Sequence, residues 1–166
     1  MNTQNAATRK PTELAGKYLT FFLGDEEYGI EILRVQEIIG LLRVTPVPNT
    51  PKHMRGVINL RGKVVPVVDM RERFAMGTVE ATKQTCIIVV RSGESEIGAI
   101  VDRVSAVVNI KPDEIEEMPS MGASVDTSYL LGIGKTEGRV RLLLDIERVL
   151  SEIGEHAAAT GAASAS

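Results

Sequence analysis

The sequence has no tryptophan, and its aromatic residues are only three phenylalanines and three tyrosines. Hydrophobic residues still make up 43% of the chain, so we expect a core built from valine, isoleucine and leucine. The single cysteine, Cys86, excludes a disulfide within the chain and is typical of a reducing compartment. Because Cys86 begins the apolar run 86–90, we interpret it as a buried structural thiol.

The chain also lacks a basic excess, since 22 acidic residues stand against 19 basic ones. A general nucleic-acid binder normally shows a basic patch, so this balance argues against that class. No run approaches the roughly 20 apolar residues of a membrane span, and residues 1–16 lack the apolar segment of a signal peptide. We therefore expect a cytoplasmic protein that does not insert into the membrane.

The most informative feature that is present is an internal repeat. Residues 24–30 recur as residues 93–99, and residues 56–64 recur as residues 132–140. The first pair is offset by 69 positions and the second by 76, so the later copy has gained seven residues in between. What both copies keep is interpreted as scaffold, and what only one copy carries is a candidate for function.

The pattern of short, β-branched runs bounded by glycine predicts an all-β protein. We expect ten strands in two sets of five, which form two small barrels that bury aliphatic surface between them. A terminal helix is expected at 146–153, with Asp145 capping its start as the twin of Asp69. The predicted organisation is a flexible segment 1–16, a domain 17–153 made of the halves 17–83 and 84–153 with possible strand exchange, and a flexible tail 154–166.

Several local predictions follow the same signals. Glycine and acidic residues at 24–27 predict a hairpin turn, and prolines make 45–51 an irregular connector. Residues 35–42 are interpreted as a strand and residues 52–55 as one helical turn. The insertion at 119–127 is expected to be mobile.

Enzymatic interpretations find little support. Neither His53 nor His156 has other metal-type ligands at a recognisable spacing, and the carboxylates of 25–27 are interpreted as a solvated turn. Gly132 and Gly134 lack the Lys-Ser/Thr ending of a phosphate loop. We expect no catalytic residues, no metal and no cofactor.

The repeat singles out one hairpin. The first copy has Asn59 and Arg61 where the second has Lys135 and Glu137. Two strands separated only by residues 61–62 place Arg61 at the hairpin tip, where it is either a binding residue or an ordinary solvated turn residue. A second clue is the stretch 35–39, whose outward face presents polar and aliphatic side chains, although plain strand alternation also explains it.

Six segments, taken in order, carry a resemblance to the CheW family of chemotaxis coupling proteins. They are LGDEEYGI at 23–30, VQEI at 35–38, NTP at 49–51, GVINLRG at 56–62, VPVVD at 65–69 and YLLG at 129–132. The resemblance spans about residues 17–153. It implies two five-stranded SH3-like barrels with a shared hydrophobic core, and no catalysis.

The resemblance also implies two partners: the cytoplasmic tips of chemoreceptors and the regulatory domain of the histidine kinase CheA. The protein would then lie in the cytoplasm at membrane-bound receptor arrays. Carried over by motif, the receptor-side candidates are Val35, Glu37, Ile38, Arg61 and Val104. The kinase-side candidates are Val44, Val47, Met54, Gly56, Val57 and Asn59.

Two alternatives stay open. The same fold could serve a chemosensory pathway that does not control flagella. An SH3-like barrel that binds nucleic acid is the other, and it would need a basic face with interleaved aromatic residues.

Overall fold

The structure is a computed structural model, and it describes residues 10–117 and 128–150. The predicted insertion at 119–127, His156 and the tail 154–166 lie outside these residues. Within the described residues the chain forms short helices and eleven strands. The strands are β1 (Gly16–Leu23), β2 (Glu26–Glu31), β3 (Val35–Gly40), β4 (Met54–Leu60), β5 (Lys63–Asp69), β6 (Cys86–Ser92), β7 (Ser95–Val101), β8 (Arg103–Ile110), β9 (Ile115–Glu116), β10 (Leu130–Thr136) and β11 (Arg139–Leu144).

The strands form two sheets, which confirms the all-β prediction. One sheet has the order β8-β1-β2-β11-β10-β9, and the other has the order β3-β6-β7-β5-β4. Each sheet contains a hairpin from one sequence repeat and three strands of six to eight residues from the other, and the six-stranded sheet adds the two-residue strand β9. The exchanged hairpins are β1–β2 and β6–β7. Each pairs with the other repeat in parallel on one side, β2 with β11 and β7 with β5, and antiparallel on the other, β1 with β8 and β6 with β3.

The two sheets repeat the same strand order. The extra strand β9 pairs with β10 through Ile133, at the position that corresponds to Val57 in β4. Val57 forms an isolated bridge with Thr45 of the connector, so the connector takes the place of β9 in the first copy. The repeated Gly56 and Gly132 lie where these segments approach most closely: a Cβ on them would lie 2.1 Å from the Thr45 oxygen and 3.0 Å from the Glu116 oxygen.

The core has three parts. The largest lies between the sheets and contains side chains of both, such as Phe21, Ile30, Ile88 and Val90. The sheet that contains β4 and β5 has its own cluster of Ile58, Leu60, Val65, Val67, Ile87, Val89 and Ile100. The other sheet has a cluster of Leu14, Tyr18, Ile110, Ile115, Leu131 and Leu143. All three clusters are mainly aliphatic, as the scarcity of aromatic residues predicts.

Three short α-helices follow or precede strands in the described residues, beside the 3-10 turns Ile32–Arg34 and Pro112–Glu114. Helix α1 (Pro11–Leu14) was not expected within the N-terminal segment, and its Leu14 is buried. Helix α2 (Met70–Arg73) begins at Asp69, whose carboxylate accepts hydrogen bonds from the backbone of Arg71 and Glu72. Helix α3 (residues 146–150) follows Asp145, whose side chain accepts from the Arg148 backbone at 3.3 Å. The predicted caps Asp69 and Asp145 are therefore confirmed.

Four local predictions need correction. Residues 52–55 form no helix, because the Met54 backbone donates only one turn-type bond to Pro51 and then enters β4. Strand β3 ends at Gly40 rather than at residue 42. Residues 10–16, predicted to be flexible, are held by the buried Leu14 and by pairing of Gly16. The fourth correction concerns Glu27, which is not a solvated turn residue.

Glu27 lies in β2 and its side chain is buried. Its two carboxylate oxygens face Arg139 at 2.9 Å and Arg141 at 3.1 Å. The turn itself consists of Gly24 and Asp25 only. Of the acidic residues 25–27, Glu27 therefore has its carboxylate directed inward, toward two arginines of β11.

Candidate functional site

Strand β3 is an edge strand with one apolar side chain directed outward. Burial alternates along it, with Val35 and Ile39 turned inward and Ile38 45% exposed. The pairing with β6 shifts register between Val35 and Glu37, so Gln36 is the additional residue of a β-bulge. Edge strands and their bulges present side chains to partners, as the sequence pattern at 35–39 suggested.

The β4–β5 hairpin presents Arg61 on a rigid turn, as predicted. Arg61 and Gly62 have φ angles of 54° and 87°, and type I′ turns require positive φ at both central residues. The Asn59 side chain accepts a hydrogen bond from the Gly62 backbone at 2.7 Å and so holds the turn closed. The Arg61 side chain is 68% exposed.

The structure brings the two charged candidates together. Arg61 donates a hydrogen bond to the Glu37 carboxylate, and the two side chains form an ion pair across the surface between the hairpin tip and β3. This hydrogen bond raises the pKa of the Arg61 guanidinium above its ordinary value. Because the pair is largely exposed, it contributes little to folding stability, and its importance lies in the geometry it presents.

A second carboxylate near this pair was not identified from the sequence. Glu96 of β7 accepts a hydrogen bond from Lys63 Nζ at 2.9 Å and another from the Gln36 amide. The Lys63 hydrogen bond is the main reason that the pKa of Glu96 is lowered. The repeat offered a signal, because Glu27 and Glu96 occupy equivalent positions and each binds a basic residue that follows a hairpin turn.

The remaining receptor-side candidates are less accessible. Val35 of β3 and Val104 of β8 belong to different sheets, and both are half-buried against the core that the sheets share. Cys86 is half-buried at the same core, where burial raises the pKa of its thiol. Ile38 is therefore the apolar candidate with the largest exposure.

The kinase-side candidates surround the connector after β3. Thr45 exchanges two backbone hydrogen bonds with Val57, at 2.8 and 2.9 Å, and this fixes the connector against β4. Val44 packs on the core cluster that contains Ile58 and Val67, and Val57 packs on the core between the two sheets. Both side chains, and that of Val47, remain partly accessible.

Two of the kinase-side candidates are in the interior. Met54 is 6% exposed and belongs to the shared core, while Gly56 is buried under the Thr45 backbone. These residues support the connector but offer no surface to a partner. Of the kinase-side candidates, Val44, Val47, Val57 and Asn59 are therefore the ones accessible at the surface.

Within residues 10–117 and 128–150, no group of three or more His, Cys, Asp or Glu side chains is arranged to hold a metal ion. In the same residues, no helix is long and apolar enough to cross a bilayer.

Comparison with known proteins gives consistent matches. The profile of the CheW-like domain matches residues 17–154. The chain is 42% identical to the chemotaxis protein CheW of Klebsiella aerogenes, over 84% of this chain and 87% of that protein. It is 35% identical to the chemotaxis protein CheW of Bacillus subtilis, over 82% and 87% respectively. The crystal structure of the scaffolding protein TtCheW from Thermoanaerobacter tengcongensis matches with a TM-score of 0.75 and 34% identity, covering 82% of this chain and 93% of that one.

Proposed function

The chain belongs to the CheW-like family, and from that premise we propose that it is a non-enzymatic scaffold of a chemotaxis pathway that couples chemoreceptors to the histidine kinase CheA. It acts in the cytoplasm at membrane-bound receptor arrays. The observation that carries the proposal, beyond family membership, is the exposed Glu37–Arg61 pair, which joins the edge strand β3 to the tip of the β4–β5 hairpin.

The receptor surface consists of an apolar anchor with a charged rim. Ile38 offers aliphatic surface on one face of the edge strand β3. Glu37, on the other face of the same strand, forms the ion pair with Arg61 of the β4–β5 hairpin tip. Amphipathic helices dock in this manner, with apolar anchors in the centre and polar contacts around them. The helical hairpin at a receptor tip can supply such an amphipathic helix.

The kinase surface is a separate face formed by the connector. Val44, Val47, Val57 and Asn59 surround the Thr45–Val57 bridge, which keeps this irregular segment in place. A scaffold with two faces holds receptor and kinase in one geometry, so that a small receptor motion shifts the conformational equilibrium of the kinase. Modest affinities suffice, because an array raises the effective concentration of each partner.

The Arg61→Glu variant tests the receptor surface. A glutamate faces Glu37 in this variant and repels it, so we expect receptor binding to weaken about ten-fold or more and receptor control of kinase activity to fall. The fold is expected to remain intact, because Glu137 occupies the equivalent turn position with φ 55°. Receptor binding is measured with receptor cytoplasmic fragments on vesicles, and folding by the thermal midpoint.

The matched control is Glu137→Arg, which makes the reverse change in the same type of turn of the other sheet. It should leave receptor binding unchanged. Normal receptor binding by a folded Arg61→Glu protein, or an equal loss in the Glu137→Arg control, contradicts the proposed surface.

A further inference from the structure

We propose that Glu96 is a positioning residue for the receptor surface, which holds the Glu37–Arg61 pair in its docking geometry without touching the receptor. This inference rests on the function proposed above. It concerns a side chain on β7, a strand that comes from the second sequence repeat and inserts into the sheet of the first.

The geometry places Glu96 between the two parts of the surface. One carboxylate oxygen accepts from Gln36, the residue immediately before Glu37. The other accepts from Lys63 at 2.9 Å, two residues after Arg61. A single side chain therefore links strand β3 to the hairpin tip, next to both members of the charged pair.

Both points of attachment need such support. Gln36 is the additional residue of the β3 bulge, where the ladder with β6 is interrupted. Lys63 opens β5 directly after the two-residue turn, and its side chain is 66% exposed. Without a fixed partner, the bulge and the turn can change their separation, and the distance between Glu37 and Arg61 changes with them.

Glu96 is suited to support and not to direct contact. Its side chain is 8% exposed, so a docking partner meets Arg61 and Lys63 before it reaches the carboxylate. The pKa of Glu96 is lowered by its Lys63 hydrogen bond, so the group is charged at neutral pH. Its charge also acts on Arg61, whose pKa it helps to raise.

The other half of the molecule repeats the contact of the carboxylate with the hairpin, without a counterpart of the Glu37–Arg61 pair. Glu27, the repeat equivalent of Glu96, binds Arg139 at 2.9 Å, and Arg139 is the equivalent of Lys63. Ala106 and Glu137 stand where the first copy has Glu37 and Arg61. The contact of this carboxylate with the basic residue after the turn is thus a feature of both copies, and the first copy adds the bond to Gln36 and the Glu37–Arg61 pair.

The test is a charge swap in the full-length protein. The variants are Glu96→Lys, Lys63→Glu and the double variant, with Arg61→Glu as the reference for the surface and Glu116→Gln as the control. Glu116→Gln breaks the exposed Lys135–Glu116 pair in the other sheet. Binding is measured with vesicles that carry the receptor cytoplasmic fragment. The pair with Glu37 is followed by the NMR signal of the Arg61 Nε–H group, in the same guanidinium as the Nη2 donor.

Each single variant is expected to weaken receptor binding about ten-fold and to shift the Arg61 Nε–H signal, because the link is lost. The double variant is expected to recover binding to within about three-fold, since the ion pair returns with reversed polarity and Gln36 can turn its amide oxygen toward the lysine. The control should change neither quantity, and the thermal midpoints should be alike.

The outcomes separate this inference from the proposed function. If Arg61→Glu weakens binding but Glu96→Lys does not, the role of Glu96 is wrong and the receptor surface stands. If the double variant folds normally yet stays weak, Glu96 or Lys63 touches the receptor itself and positioning is wrong. If Arg61→Glu binds normally, the receptor surface is wrong, and an unshifted Arg61 signal in Glu96→Lys then overturns the positioning role as well.

Discussion

At the scale of single residues, Asp102 joins three separate parts of the chain. Its carboxylate accepts a bifurcated hydrogen bond from Arg71 Nε–H, at 2.9 and 3.1 Å, and single bonds from Arg71 Nη2 and the Gly24 backbone, both at 2.7 Å. The Arg71 hydrogen bonds are the main reason that the pKa of Asp102 is lowered. This residue therefore ties α2 and the β1–β2 turn to the turn between β7 and β8.

Asp102→Asn should lower the free energy of unfolding by about 1.5–3 kcal/mol near pH 7, the range for hydrogen bonds to charged groups. Because the folded pKa lies below the unfolded one, the wild-type advantage is full above about pH 4 and disappears as the pH falls through the folded pKa. Urea unfolding of both proteins from about pH 7 down to about pH 3 measures this. A difference that stays constant over that range contradicts the assignment.

At the scale of elements, the connector between β3 and β4 depends on the absence of a side chain at Gly56. A Cβ there would lie 2.1 Å from the Thr45 oxygen and 2.7 Å from its carbonyl carbon, and φ is 148°. Both backbone atoms are fixed by the bridge to Val57, so they cannot move away cheaply. The close approach fixes the segment to which we assign the kinase surface.

Gly56→Ala should destabilise the protein by about 2–4 kcal/mol, which combines steric overlap with backbone strain. It should also weaken binding of the kinase regulatory domain more than binding of the receptor fragment, measured at a temperature where the variant is folded. Gly62→Ala is the control, because Gly62 also has a positive φ but nothing lies within 4 Å of the added Cβ. An equal loss of kinase binding in both variants would argue against a role for the connector.

At the scale of the whole molecule, the exchanged hairpins make the two sequence halves interdependent. Strands β6 and β7 lie between β3 and β5, and strands β1 and β2 lie between β8 and β11. The shared core then takes side chains from both sheets. A half on its own lacks the two central strands of its sheet and leaves this core open.

We expect residues 1–83 and 84–166, expressed separately, to be unfolded, and to fold when mixed. Each fragment exposes core surface that only the other can cover. Small domains have a low free energy of unfolding, so the loss of this buried surface is enough to unfold them. Amide dispersion in NMR spectra of each fragment and of the mixture measures this. Native-like dispersion of one fragment alone would show that the exchange is not needed for folding.

How far the sequence predicts this structure differs from one residue to the next. The β4–β5 hairpin was predictable because residues 61–62 separate two β-branched runs, and Asp69 and Asp145 were recognisable as caps because both copies have them. The link from Glu96 to Gln36 and Lys63 was not, because its partners lie 60 and 33 residues away. Glu27 was misjudged for the same reason, since its arginines are in the last strand.

The sequence by itself determined the duplicated strands, their turns, the aliphatic core and the family, because these depend on neighbouring residues and on periodicity. Only the tertiary structure decided which hairpin enters which sheet, which carboxylates are buried, and that Glu37 meets Arg61. Local pattern specifies that a strand forms, but two similar repeats offer similar edges to each hairpin. The choice between them depends on how the side chains of both halves fill one common interior.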